Sequence, residues 1–151
     1  MKAATPTVDN RRARYEYHIL ESIEAGIALT GTEIKSIRQG GVSLSQSYAR
    51  LRDGELWLLG MHIPKYKQGS FSNVDPDRPR KLLLHKEQIR RLGGRAAEKG
   101  LTIVPLRLYF TRGKAKLEIG LARGKKLWDK REREAQRDVQ RELERARYET
   151  R

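Results

Sequence analysis

The sequence has no cysteine. That excludes disulfides, thiolate nucleophiles and cysteine-ligated metals. Its three histidines, His18, His62 and His85, are scattered and match no metal-ligand spacing, so no metal site is expected. No apolar run approaches the roughly 20 residues of a membrane-spanning helix. The N-terminus also lacks the apolar core of a signal peptide. A cytoplasmic protein with no membrane contact is therefore expected. Catalytic signatures are missing too. There is no Gly-x-Ser-x-Gly elbow. Gly120-Leu121-Ala122-Arg123-Gly124-Lys125-Lys126 fails as a phosphate loop: it is one residue short between the glycines, and lysine stands where Ser or Thr should bind magnesium. Neither an enzyme nor a cofactor is expected.

Acidic residues are outnumbered, 19 against 33 lysines and arginines, which gives a formal charge of +14 over 151 residues. Such an excess concentrates anionic partners near the chain and speeds their capture. The length suits one domain. The excess sits mainly in the body: residues 124–151 carry net +3 and the rest net +11.

The best-defined stretch runs from Glu24 to Gly41. Thr30 and Glu33 have the spacing of a capping box, and Gly40 stops the helix that follows. Ile34 and Ile37 share a core-facing side. Lys35 and Arg38 share a neighbouring one, so the helix would hold two cations at a fixed separation. A capped surface helix with solvated cations explains the same letters. Glu24 and Glu33 are better read as orienting arginines or capping the helix than as a catalytic pair.

Residues 1–13 are polar and read as a mobile N-terminal segment, ending in the arginine cluster around Asn10, Arg11 and Arg14. A strand is predicted over 15–24, with Leu20 and Ile23 blurring its alternation. Two more, over 46–52 and 55–63, flank the hairpin signal Asp53-Gly54. Residues 65–80 read as a loop. Its cations Lys65, Lys67, Arg78 and Arg80 interleave with Tyr66 and Phe71, which suits phosphates and unstacked bases or an ordinary flexible loop. A strand over 81–84 and a helix over 85–99 follow, the helix with Ile89, Leu92 and Ala96 inward and Gly93-Gly94 weakening it. The final hairpin pairs 101–111 with 115–122 around Gly113-Lys114, and Pro105 implies an edge or a bulge. The body, 14–123, is thus mainly β: a small closed antiparallel barrel with two or three short helices. In the tail, 124–151, Glu134/Arg137, Asp138/Arg141 and Glu142/Arg145 stand at helical contact spacing over a thin apolar stripe. It should be disordered alone and helical against a partner.

Four stretches together resemble small protein B, the SsrA-binding protein family of bacterial trans-translation. They are Asn10-Arg11-Arg12-Ala13-Arg14-Tyr15-Glu16-Tyr17, Glu24-Ala25-Gly26 through Arg38, Arg80-Lys81-Leu82-Leu83-Leu84, and Gly124-Lys125-Lys126 with Asp129-Lys130-Arg131. The resemblance implies an oligonucleotide-binding (OB) barrel that holds the tRNA-like domain of transfer-messenger RNA. It further implies delivery of that RNA to a stalled ribosome, with the tail helical in the empty mRNA channel. Matched residue by residue, Asn10, Arg11, Arg14, Glu24, Gly26, Glu33, Lys35, Ser36 and Arg38 fall in the RNA-facing motifs. Lys125, Lys126, Asp129, Lys130 and Arg131 fall in the ribosome-facing one. The sequence departs from the family at Arg11, where lysine is common, and beyond Arg131, where Arg and Glu replace a mainly lysine tail. A monomer is expected. The rival reading is a ribosomal protein or another OB-type translation factor that binds structured RNA.

Overall fold

The computed structural model describes residues 7–68, 73–97 and 100–125, together with Arg137 and Arg141. The chain enters as a short strand, β1 (Val8–Asp9), and a short helix, α1 (Arg11–Glu16). It continues through β2 (Tyr17–Ile27), α2 (Gly31–Gln39), β3 (Tyr48–Arg52), β4 (Glu55–Leu59), β5 (Arg80–Leu83), α3 (Lys86–Ala96), β6 (Leu101–Thr111) and β7 (Lys114–Gly124). All strand pairs are antiparallel. The pairing runs β6-β3-β4-β5-β2-β7, and β7 pairs with β6 again, so six strands close a ring. This is the expected closed antiparallel barrel, with β1 added on the outside of β6.

Alternation fills the interior. Ala25, Leu117 and Leu108 align across β2, β7 and β6, and all three are buried in one core with Leu56, Leu58 and Leu82 of the facing wall. Ile37 of α2 and Leu92 of α3 insert into the same core. Ile89 and Ala96 of α3 face inward as the periodicity predicted.

Several boundaries differ from the sequence reading, each for a local reason. The segment 1–13 is structured from Val8 onward. The Asn10 side chain caps α1 by accepting from the Ala13 amide at 3.3 Å, and Ala13 packs with Val104, Leu106 and Ala122 in a small second core outside the barrel. Tyr15 therefore belongs to α1, and the strand begins at Tyr17. The blurred alternation of β2 is a bulge: its register slips between Ile19 and Glu21, which leaves Leu20 exposed. Pro105 likewise sits at a bulge, between Pro105 and Arg107, where a missing N–H is tolerated. The last hairpin turns on Arg112-Gly113, one residue earlier than predicted, with left-handed φ of 52° and 76°. The Asp53-Gly54 turn is where the sequence placed it, with the same pair of angles. Gly93 has a packing role: a Cβ there would lie 2.9 Å from a Leu51 methyl. The predicted tail, apart from its first residues and the helical Arg137 and Arg141, lies outside the described residues.

Candidate nucleic-acid interface

The rows on either side of the buried Ala25–Leu117–Leu108 row point outward. They read Glu24–Glu118–Arg107 and Gly26–Lys116–Tyr109 across β2, β7 and β6. The strands thus build a charged wall from residues far apart in sequence. The Tyr109 hydroxyl donates to Glu24. Burial first, and that hydrogen bond second, push the phenol up to about 12, so it stays a donor at any physiological pH. The Arg107 guanidinium lies over the Tyr109 ring, 4.5 Å from its centroid, and its Nη2 donates to Glu118 at 3.4 Å. Its Nε is buried and has no hydrogen-bond partner among the described residues. Arg14 of α1 reaches Glu118 at 4.0 Å, and Lys116 reaches Glu24 at 4.0 Å.

Asn10 sets the position of α1 on this wall. Its amide nitrogen donates to the carbonyls of Pro105, at 2.7 Å, and Leu44, at 3.2 Å, while its oxygen caps the helix. With 4% exposure, the side chain is committed inside the protein. It holds Arg11 and Arg14 outward instead of facing a ligand itself. Lys125 latches the end of β7 to the same helix: its amide donates to the Glu16 carbonyl at 2.8 Å, and its ammonium to the Arg14 carbonyl at 3.2 Å. Gly26 is a crossing point of β2 and β5. A Cβ there would stand 3.1 Å from the Leu83 Cβ, and Leu83 is itself half exposed above it.

Helix α2 carries the second group of predicted residues. Its capping box is complete: the Thr30 hydroxyl accepts from the Glu33 amide at 3.2 Å, and Glu33 accepts from the Thr30 amide at 2.9 Å. Glu33 also binds two arginines. Arg80, fully buried, donates to its Oε2 from Nε at 2.9 Å and Nη2 at 2.6 Å. Arg78 donates from Nε at 3.2 Å and from Nη2. Burial would raise the Glu33 carboxyl. Hydrogen bonds from Arg78, the Thr30 amide and Arg80, with the Arg80 charge, outweigh it and hold the carboxyl below its usual range. Ser36 is buried and donates to the Pro64 carbonyl. Glu33 and Ser36 therefore fix the helix, whereas Lys35 and Arg38 stand outward on it. The Lys35 ammonium lies 5.8 Å from the Tyr66 ring centroid.

The loop cations divide in the same way. Arg78 and Arg80 turn inward to Glu33, and Lys65 and Lys67 stay exposed. Asn73 clamps the loop by exchanging hydrogen bonds with the Tyr66 backbone at 2.9 and 2.7 Å. Asn10, Arg11, Arg14, Glu24, Gly26 and Lys125 thus gather around α1 and the β2–β7 wall. Glu33, Lys35, Ser36 and Arg38 gather around α2. Lys126, Asp129, Lys130 and Arg131 lie outside the described residues. Arg107, Tyr109 and Lys116 join the first group without having been singled out in the sequence, as does Leu83, which the sequence offered only inside a matched stretch and not as a site residue. The alternation of β6 around the buried Leu108 was the available signal. Among the described residues, no group of three or more His, Cys, Asp or Glu could hold a metal, and no helix is long and apolar enough to cross a membrane.

The geometry is a barrel with an outward wall of cations set among aromatics and framing carboxylates. Comparison with known proteins agrees with it. The family model described as SmpB protein matches residues 7–149. The SsrA-binding protein of Carboxydothermus hydrogenoformans is 60% identical over 138 residues, covering 91% of this chain and 93% of that protein. The SsrA-binding protein of Thermus thermophilus is 56% identical over 140 residues, covering 92% and 97%. Among solved structures, a chain described under "tmRNA-SmpB: a journey to the center of the bacterial ribosome" superposes with a TM-score of 0.69. It is 58% identical, and the match covers 81% of this chain and 86% of that one. A match over nearly the whole length, to both fold and sequence, means that the chain belongs to the SmpB family.

Proposed function

We propose that this protein binds the tRNA-like domain of transfer-messenger RNA and carries it to stalled ribosomes for trans-translation, acting in the cytoplasm as a binding protein without catalysis. The observation that carries the reading is the sorting of its polar residues. Asn10, Glu33 and Ser36 are buried and bonded within the fold, while Arg11, Arg14, Lys35 and Arg38 are held outward on the helices they fix. Fixed cations suit the phosphates of a folded RNA, whose recognition rests on shape and backbone more than on base edges. Glu24 orients Tyr109, and through it Arg107, on the same wall. In this reading Lys125, Lys126, Asp129, Lys130 and Arg131 begin the ribosome-facing segment, and the chain acts as a monomer. The test is a filter-binding titration of the full chain against the isolated tRNA-like domain at several salt concentrations. Tight binding with log affinity falling steeply in log salt is expected, because each neutralised phosphate contributes a slope of about −0.7 to −0.9. A flat response, or equal affinity for an unrelated hairpin, counts against it.

A further inference from the structure

The opposite half of the ring carries a second outward wall that none of these roles uses. On β3 the side chains of Tyr48, Arg50 and Arg52 alternate outward around the buried Ala49. On β4, Glu55, Trp57 and Leu59 do the same around Leu56 and Leu58. Register places Arg50 opposite Trp57 and Trp57 opposite Lys81 of β5, so one row reads Arg–Trp–Lys across three strands. Tyr48 stands diagonal to Trp57, a relationship of about 7–8 Å in an antiparallel pair. Arg50, Arg52, Trp57 and Leu59 line an open groove of about 740 Å³ that also includes Asp53 and Glu55.

Glu55 is occupied by Lys81 at 2.9 Å. Arg50 and Arg52, by contrast, have no hydrogen bond or ion pair among the described residues, although most arginines around α1, α2 and α3 are paired. Two unpaired guanidinium groups beside a half-buried indole and an exposed phenol have no evident structural task. Barrels of this kind bind single strands by stacking successive bases on aromatic side chains while cations follow the backbone. We infer that the β3–β4–β5 wall is a second RNA-binding surface, one that takes an unpaired strand while the β2–β7–β6 wall holds folded RNA. Bases would stack on Trp57 and Tyr48, and phosphates would lie along Arg50 and Arg52. The lining sets Arg50 and Arg52 against Asp53 and Glu55, but Lys81 of the same wall occupies Glu55. The remaining positive charge favours a polyanion over an apolar peptide, while the outward rings of Tyr48 and Trp57 favour bases over a helix face. The division of labour between the two walls rests on the function proposed above.

The probe is an oligouridylate of about 12 nucleotides, within the roughly 4–16 that one OB fold accommodates. The chain has two tryptophans, Trp57 and Trp128, so the full-length Trp128→Phe variant makes Trp57 the only indole reporter. Saturable quenching of Trp57 is expected, retained when the tRNA-like domain is already bound. Oligomer affinity should be at least about fivefold weaker in Trp57→Leu, from lost stacking, and similarly weaker in Arg50→Gln/Arg52→Gln. The arginine variant touches no core residue, so it serves even if Trp57→Leu folds poorly. Both variants should bind the tRNA-like domain normally. Three results would overturn the inference: no quenching by the oligomer, quenching already saturated by the tRNA-like domain alone, or quenching by an acidic helical peptide but not by RNA. Failure of the unsubstituted chain to bind the tRNA-like domain would instead count against the function proposed above, and quenching of Trp57 by the oligomer would still decide for or against this surface.

Discussion

Glu33 and Arg80 meet across 47 positions of sequence, and both are almost wholly buried. Arg80 gives Glu33 two hydrogen bonds and gives two more to the carbonyls of Met61, at 2.5 Å, and Pro76, at 2.9 Å. One carboxylate therefore caps α2 and ties it to both ends of the β4–β5 connection. Removing one partner of such a pair strands the other charge, at a cost of about 3–5 kcal/mol. The cap alone would account for about 1 kcal/mol. Glu33→Ala should destabilise the fold by the larger amount in urea denaturation. A loss near 1 kcal/mol would mean that the arginines find other partners.

The same carboxyl gives stability a defined pH dependence. Its value is lower in the folded chain than in the unfolded one. The contribution is thus fully present above the unfolded carboxylate value and is lost as pH falls through the folded one. Urea midpoints measured downward from neutral pH should fall in the acid range, and the fall should be shallower in Glu33→Gln. Parallel curves for the two proteins would assign the acid loss to other groups.

These two cases mark what the sequence reveals. Features with a local spacing rule were legible: the Thr30–Glu33 box, the Asp53-Gly54 turn, and the Ile89–Leu92 face of α3. The arginine partners of Glu33 were not, because an ion pair across a long loop leaves no periodic trace. Helix α1 was missed because it is short and buries a single residue, Ala13, although Asn10 ahead of it was a readable cap. Ring closure was expected from composition and hairpins, but its decisive joins are brief. The β3–β6 contact rests on Ala49↔Ile103, and β2–β5 on Gly26↔Leu83 and Ile27↔Leu82. The motif residues proposed to face RNA fall into two neighbourhoods, one around α1 and one around α2. Only burial separated those that face outward from those that hold them.

Helix α3 contains an avoidable weakness. Gly94 lies inside it, and an added Cβ would meet nothing within 4 Å. Gly94→Ala should stabilise the fold by about 0.8–1 kcal/mol through helix propensity. Gly93→Ala should give less, since it must displace Leu51. Thermal melts of the two variants check the order, and an equal gain from both would remove the packing role of Gly93.

Lys35 and Arg38 stand outward on a helix whose position does not depend on them. Lys35→Ala with Arg38→Ala should change the melting temperature little, because exposed charges add little to folding. The pair should weaken binding of the tRNA-like domain and make its salt dependence shallower by about two phosphate contacts, roughly 1.5 in slope. Unchanged affinity in a filter-binding titration would assign α2 a structural role or a different partner.

The central claim is that the barrel captures one RNA and the segment beyond it makes that RNA useful on the ribosome. Lys125, the second residue of the tail, is tied to α1 through the carbonyls of Glu16 and Arg14. A chain ending at Lys125 should keep its melting temperature and its affinity for the tRNA-like domain. The most direct measurement is peptide tagging on ribosomes stalled at the end of a truncated message, in a reconstituted translation system with transfer-messenger RNA. The account predicts tagging with the full chain, none without it, and RNA delivery without tagging when the chain ends at Lys125. Tagging that proceeds equally without the protein, or equally with the shortened one, would contradict it.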